Sequence, residues 1–362
     1  VDSSITILFI CVFDLITYVI LVRVGFLLTY NIFILYLLTL LTNFIAISSL
    51  PTFNSKIKMA ENEKANEQVS NYFSQTMVSV LCHPMEYSKV LMQLGYEPLP
   101  PRLSRNIIGR QTLLLPNSFQ YIKYIKRTDG LLGCFNGLLP TLLGNITSAT
   151  FSMKVVTALH LDWPEIENPP DLICEATPIA EDYAKYARKE MTLHAVSIVI
   201  SYPFRVVAVR MMASFIGKEE NYQSMFSAIG SIYRDNGVTG FFNGIVPKLI
   251  GDLSCISVSV LLAYFVNKYV VTTKECRGYT LPVLTFLTST VTYPLMLVST
   301  CMAVSGSSLV AGNPPRMPAY SSWNACFCDL LRRRQHKRGG SLFFRYYAGP
   351  SSFNWPEAEK KI

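Results

Sequence analysis

Hydrophobic positions in this chain fall into long runs, separated by short polar stretches that carry most of the charge. Runs near 70–94, 138–161, 187–217, 244–271 and 279–304 each reach the roughly 20 apolar residues that a helix needs to cross a bilayer core of about 30 Å. Between them lie shorter amphipathic stretches near 102–127, 222–235 and 320–334, which read as helices lying along one face of a bundle. One or two such runs fit buried helices of a soluble domain. Five at this spacing predict an all-α membrane protein.

The runs are related to one another. Phe135-Asn-Gly-Leu-Leu-Pro-Thr-Leu-Leu-Gly-Asn145 returns as Phe242-Asn-Gly-Ile-Val-Pro-Lys-Leu-Ile-Gly-Asp252, and each copy opens an apolar segment. Upstream, a proline interrupts a hydrophobic run three times: His83-Pro84-Met85-Glu86, Tyr202-Pro203-Phe204-Arg205 and Tyr293-Pro294-Leu295-Met296. The building unit is a Pro-kinked helix, a loop, a Phe-x-Gly turn and a second helix. Its three copies occupy about 70–161, 187–271 and 279–345, so 59–345 is one bundle and 346–362 a polar tail. The third copy lines up least well, with Arg338-Gly339-Gly-Ser-Leu-Phe-Phe344 set against Asp129-Gly130 and Asn236-Gly237. After Phe343-Phe344 the remaining residues include Pro350, Pro356, Glu357, Glu359, Lys360 and Lys361, too polar to span. A sixth helix is expected to be missing, which leaves the bundle laterally open.

Composition fits the pattern: 50% of residues are hydrophobic and 15% charged. Much of the net charge of +8 is local, in Arg332-Arg-Arg-Gln-His-Lys-Arg338. Beside an apolar chain such a block suits anionic lipid headgroups, and nothing near it reads as a nucleic-acid motif. The nine cysteines have no metal-ligand spacing and read as packing residues. Residues 1–58 are apolar, contain no Met and carry few charges. Either they form one or two further helices, or they are A/T-rich non-coding sequence translated ahead of Met59, which opens a polar Ala-Glu-Asn-Glu-Lys start.

Ionisable residues inside apolar runs are the candidate chemistry, because each costs about 2.5–3.5 kcal/mol near the bilayer centre on insertion scales. Glu86, Lys89, Arg205, Arg210, Lys248 and Asp252 qualify, with Asn145 at the position that matches Asp252. Either they form a residual structural network, such as Glu86 with Arg205, or they line a polar groove open to lipid. Lys154, His194 and Lys268 read equally well as groove-lining or as snorkelling to the surface. The four histidines are isolated and no nucleophile has a base or phosphate loop nearby, so neither catalysis nor a cofactor is expected.

Pro84-Met-Glu86-Tyr-Ser-Lys89 with Asp129-Gly130 and Phe135-Asn-Gly137, and their counterparts in repeat two, resemble the mitochondrial carrier signature. Gln93-Leu-Gly-Tyr-Glu-Pro-Leu-Pro-Pro101, Asn106-Ile-Ile-Gly-Arg-Gln111, Asn313-Pro-Pro315, Ser341-Leu-Phe-Phe-Arg345 and the Phe215–Tyr222 joint resemble a divergent branch, the mitochondrial carrier homologs of the outer membrane. The resemblance implies a pseudo-threefold helical bundle. It also implies insertion of tail-anchored and other α-helical clients into the outer membrane, with docking of a pro-apoptotic regulator as an alternative. A carrier closes its gate with an acid and a base from each kinked helix. Here repeat two offers Arg205 and Ala208 at those positions, and repeat three Met296 and Ser299. One carboxylate cannot close such a ring. Alternating access is therefore not expected, although a divergent solute or lipid transporter stays open as a reading.

Overall fold

The computed structural model describes residues 58–105, 111–158, 180–271 and 273–346; the expectations for 1–57 and for 347–362 fall outside the described residues. The chain divides into compact units at Asn71–Tyr72. Of the first unit only the start of a helix is described, and every other described element belongs to the second.

Three helices begin the repeats: α1 (Lys58–Gln93), α4 (Ala180–Gly217) and α7 (Lys274–Val304), each with its proline inside at Pro84, Pro203 and Pro294. Two helices follow the Phe-x-Gly turns, α3 (Leu138–Ala158) and α6 (Ile245–Tyr269). Pro140 and Pro247 sit in their first turns, where a missing N–H costs nothing. Shorter helices α2 (Ser118–Gly133), α5 (Met225–Asn236) and α8 (Trp323–Arg332) each start from a side-chain cap. Asn117, Ser224 and Ser322 accept from the backbone N–H three residues on. These three helices match the expected amphipathic stretches, with one correction. The region 102–127 is not helical throughout. Strands β1 (Arg102–Arg105) and β2 (Gln111–Leu114) pair antiparallel ahead of α2. Pro98, Pro100 and Pro101 hold the chain extended as it leaves α1, and Pro116 does so ahead of the cap.

Among the described residues, three stretches are long and apolar enough to cross a membrane: Ala180–Gly217, Val238–Tyr269 and Cys276–Val304. The other two expected spans, α1 and α3, form as helices but fall short on apolarity. His83, Glu86 and Lys89 dilute α1; Asn145, Thr147, Ser148, Thr150 and Ser152 dilute α3. Hydroxyls on α3 return to the helix, as Thr147 Oγ1 does to the Leu143 carbonyl, which makes such residues tolerable against lipid.

The eleven repeated residues are explained by packing. Gly137 and Gly244 open the turn with φ of 84° and 83°, where side chains strain the backbone. Each lies against the next repeat's kinked helix: a Cβ on Gly137 would stand 3.0 Å from the Ala208 carbonyl oxygen, and one on Gly244 would stand 2.6 Å from that of Ser299. Seven residues on, Gly144 and Gly251 do the same for helix packing. Their missing side chains admit Phe204 and Leu295, whose Cβ atoms would each be 3.1 Å from an added methyl. The motif recurs because two close approaches recur.

A second threefold set of contacts closes each turn from within its own repeat. The residue before each kink proline bonds the carbonyl before the turn glycine: His83 Nε2 to Asn136 at 3.0 Å, Tyr202 Oη to Asn243 at 2.9 Å and Tyr293 Oη to Arg338 at 2.7 Å. This corrects the sequence alignment of repeat three. Gly339, with φ 73°, stands where Gly137 and Gly244 stand, with an added Cβ 2.9 Å from Gln93 Cγ of repeat one. The place given to it beside Gly130 and Gly237 belongs to Arg334, a non-glycine at φ 56° that ends α8. Composition hid the match, because repeat three is two residues shorter between these points.

After Gly339 no helix begins, at least as far as Tyr346. The segment instead runs extended beside the hairpin, with Ser118 N donating to Leu342 O at 2.8 Å and Leu115 N to Arg345 O at 2.7 Å, and Tyr346 bridging Leu114. Arg345 is the anchor. It is buried, ion-paired to Glu97, and donates to the Pro116 carbonyl at 3.0 Å, while Phe343 packs on Phe119. Burial acts to lower the Arg345 pKa, but the adjacent Glu97 carboxylate more than offsets it and holds the guanidinium firmly charged. The neighbouring Tyr121 phenol is pushed well above its ordinary value, chiefly by burial and by Glu97, so it stays a neutral donor.

Candidate functional site

The kink prolines place the candidate charges. The residue two after each proline is Glu86, Arg205 or Met296, and the fold's pseudosymmetry sets these at one level of the bundle. Lys248, on α6, reaches that level: its Nζ lies 3.4 Å from Met296 Sδ, so a cation occupies the place where repeat three supplies no charge. Lys248 is also 2.8 Å from Asp252 Oδ2, one helical turn on. His194 of α4 completes the group, its Nε2 3.2 Å from the same oxygen. The carboxylate thus bridges α4 and α6. His194, which the sequence left between lining and snorkelling, is part of the site; its i, i+58 pairing with Asp252 carries no periodic signal.

Lys89, Arg205 and Lys248 lie within electrostatic range of one another, and Lys89 also feels Glu86. Lys89 Nζ sits 5.9 Å from the centroid of the Tyr293 ring. Arg205 is half-buried and has no hydrogen bond or ion pair among the described residues. Glu86 is exposed, and no ion pair joins it to Arg205. The structural network suggested by the sequence is therefore absent for that pair and present instead as Lys248–Asp252–His194. Asn145 is exposed, with its Nδ2 3.5 Å from Ser79 Oγ of α1.

Arg210 belongs elsewhere. It is fully buried, its Nε donates to the Ala303 carbonyl at 2.9 Å, and its Nη2 donates to Asn236 Oδ1 at 3.1 Å. Those bonds tie α4 to the end of α7 and the end of α5. The residue is a structural clamp, and the sequence could not separate it from Arg205, five positions earlier on the same helix. Lys154 and Lys268 are exposed near helix ends and lie over Phe151 and Tyr264, as snorkelling side chains do.

Exposed apolar side chains are found on several helices, among them Val258, Leu262 and Phe265 of α6. Tyr279, Val283, Phe286, Leu287 and Val291 form one exposed stripe on α7, and Met77, Val78 and Leu81 are exposed on α1. Only 17% of the most apolar stretch of α7 is buried, against 44% for α4. No group of three or more His, Cys, Asp or Glu able to hold a metal ion occurs among the described residues. Chemically, the arrangement offers fixed charges in an apolar bundle, which can stabilise a polar group away from water.

Comparison with known proteins gives this architecture a family. The mitochondrial carrier protein family profile matches residues 65–160 and 191–274, which cover the first two repeats. A mitochondrial thiamine pyrophosphate carrier of Neurospora crassa is 24% identical over 282 residues, covering 74% of this chain and 82% of that one. The fold is that of a mitochondrial carrier-type membrane protein. Human mitochondrial carrier homolog 2 is 39% identical over 274 residues, covering 74% of this chain and 90% of the relative. Mouse mitochondrial carrier homolog 1 is 35% identical over 300 residues, 76% of each chain. The chain belongs to the mitochondrial carrier homolog family, and it is a mitochondrial membrane protein.

Proposed function

We propose that this protein is an insertase of the mitochondrial outer membrane, which passes the polar end of an α-helical client, tail-anchored ones above all, along a groove of fixed charges open to lipid. The observation that carries the reading is the broken ring. Among the described residues, Glu86, Lys89 and Arg205 stand partly uncovered without an ion-pair partner, and apolar side chains are exposed at Met77, Val78 and Leu81 of α1 and at Tyr279, Val283, Phe286, Leu287 and Val291 of α7. A carrier gate would spend these charges on one another. Left unspent, they lower the desolvation cost of a passing group, which is several kcal/mol for an unpaired charge in hydrocarbon.

The mechanism requires no covalent step. The client's apolar segment leaves sideways along α7 and α1 while its polar terminus follows Glu86, Lys89, Arg205 and the Lys248–Asp252–His194 group. Purified protein in sealed liposomes, given a tail-anchored client held by a chaperone, tests this. Protease-protected client should accumulate faster than in empty liposomes. Scrambling of a fluorescent lipid without client insertion would replace the insertase reading with that of a lipid transporter.

A further inference from the structure

The stretch Leu94–Asn117, between α1 and α2, carries more than the bundle needs. Repeat two passes from α4 to α5 through Lys218–Ser224 alone, whereas repeat one places the β1–β2 pair at the same point. The added strands help to build a socket. Glu97 pairs with the Arg345 guanidinium, the Pro116 carbonyl accepts from its Nη1 at 3.0 Å, and the Tyr121 ring centroid lies 5.5 Å from it. Glu97 is itself held in place, because the Tyr121 hydroxyl donates to its second carboxylate oxygen. Two places earlier, on the same face of the extended segment, Phe343 packs on Phe119 with 5.7 Å between ring centroids. Leu115 N and Ser118 N meet only backbone, donating to the carbonyls of Arg345 and Leu342. Main-chain bonds to a strand edge, with a pocket for every second side chain, are how sheets recognise extended peptides. The pattern recognised here is an aromatic residue followed two places on by arginine.

Ser341–Tyr346 occupies this socket without filling it. Phe343 and Phe344 are left 47% and 66% exposed, so burial of apolar surface does not account for the segment. A cavity of about 100 Å³ lies open beside Pro116, bounded by Leu99, Arg102, Leu114 and Gln120. A buried ion pair such as Arg345–Glu97 gains little stability over apolar packing, since both charges leave water; what it can supply is selectivity. We propose that the β2 edge and the Glu97–Tyr121 socket form a docking site for a partner protein that presents an extended aromatic-x-Arg segment, and that Ser341–Tyr346 is the chain's own occupant of that site. Tethered just after the Gly339 turn, this occupant competes at high effective concentration, so a partner docks only by displacing it. Displacement frees the joint between repeat three and repeat one, because Leu342, Phe343 and Arg345 hold one against the other.

Fluorescence anisotropy of a labelled Ser-Leu-Phe-Phe-Arg-Tyr peptide, added to the full chain in detergent micelles, tests this. Arg345→Ala, which vacates the socket, should bind the peptide saturably, and the parent chain should bind it about tenfold or more weakly, because its own segment competes. Adding Glu97→Gln to Arg345→Ala should weaken binding by about tenfold or more, as should replacing the peptide's arginine by leucine. Thermal midpoints show whether each variant is folded. If Arg345→Ala does not fold, the parent chain decides: a peptide with benzophenone on its first aromatic ring should photo-crosslink within Leu113–Phe119. The proposal is overturned if folded Arg345→Ala binds the peptide no better than a scrambled one, if Glu97→Gln leaves binding unchanged, or if the cross-link falls elsewhere. Parent chains that dimerise by exchanging these segments, without taking up peptide, would overturn it as well.

Discussion

The loop end of the bundle and the charged level within it lie only about 5–10 Å apart along the kinked helices, one to two turns of α-helix. They have kept the threefold plan to very different degrees. At the loop end all three repeats close alike, through a glycine with positive φ, a close approach to the neighbouring helix and a bond from the residue before the proline. At the charged level the repeats offer Glu86, Arg205 and Met296, and no ring forms. The first set depends on backbone shape and carbonyls, which survive side-chain drift as long as the glycines stay. The second depends on side-chain identity, and repeats two and three lack both the acid and the base that repeat one keeps in Glu86 and Lys89. A bundle can therefore keep its framework while losing its gate.

The largest test of this contrast is Gly244→Val. A β-branched side chain at φ 83° would meet the Ser299 carbonyl at 2.6 Å and the Tyr202 hydroxyl at 2.9 Å. Backbone strain of about 1–3 kcal/mol adds to that clash. We expect little folded protein in detergent-resistant, protease-protected form, and the same for Gly339→Val if the third turn is equivalent. A well-folded Gly339→Val would break the threefold correspondence.

Arg210→Leu should have the second largest effect. Bonds to charged groups are worth about 1.5–3 kcal/mol each, and this substitution removes two while leaving the Ala303 carbonyl and Asn236 without them. Abundance and thermal midpoint should fall, with insertion per folded molecule unchanged. A loss of specific activity without a loss of stability would return Arg210 to the groove.

Legibility in the sequence follows the same divide. The kink prolines, the Phe-x-Gly turns of repeats one and two, and helices α5 and α8 were legible, because periodicity and capping are local, whereas only the first part of α2 fell within its expected stretch. The antiparallel pair β1–β2 was hidden by a basic, partly apolar composition that also suits a helix. Gly339 was misaligned because a two-residue deletion shifts the only anchor available to one-dimensional matching. Arg210 and Arg205 look alike in sequence, and only packing separates a guanidinium bonded to Ala303 from one with no partner among the described residues. His194 joined the site through a contact 58 positions away, beyond any local pattern.

Groove substitutions should act in the opposite sense to Arg210→Leu. Lys89→Glu and Arg205→Glu, at the two cations without an ion pair among the described residues, change the charge balance that a passing terminus meets, so insertion rate per folded protein should shift severalfold while abundance stays near normal. Lys218→Glu, on an exposed turn beyond α4, should be close to silent, since surface charges contribute about 0–1 kcal/mol. Thermal destabilisation of both groove variants in step with lost activity would mark Lys89 and Arg205 as framework only.

The smallest effect expected lies at the loop end, where one carboxylate ties α5 to the chain after α7. Burial acts to raise the Asp235 pKa. Bonds from Ser308 Oγ at 2.7 Å and Ser308 N at 3.0 Å, the Arg210 charge and the Tyr222 hydroxyl more than offset that and hold it below the usual carboxylate range. A folded pKa below the unfolded value means that Asp235 stabilises the fold above about pH 4, and that this contribution disappears as pH falls from there through the folded value. Asp235→Asn should therefore lower the thermal midpoint slightly at neutral pH, flatten its acid slope, and converge with the parent at the acid end. If the parent's acid slope persists in the variant, the slope originates elsewhere, and the loop end would owe its closure to glycines and carbonyls alone.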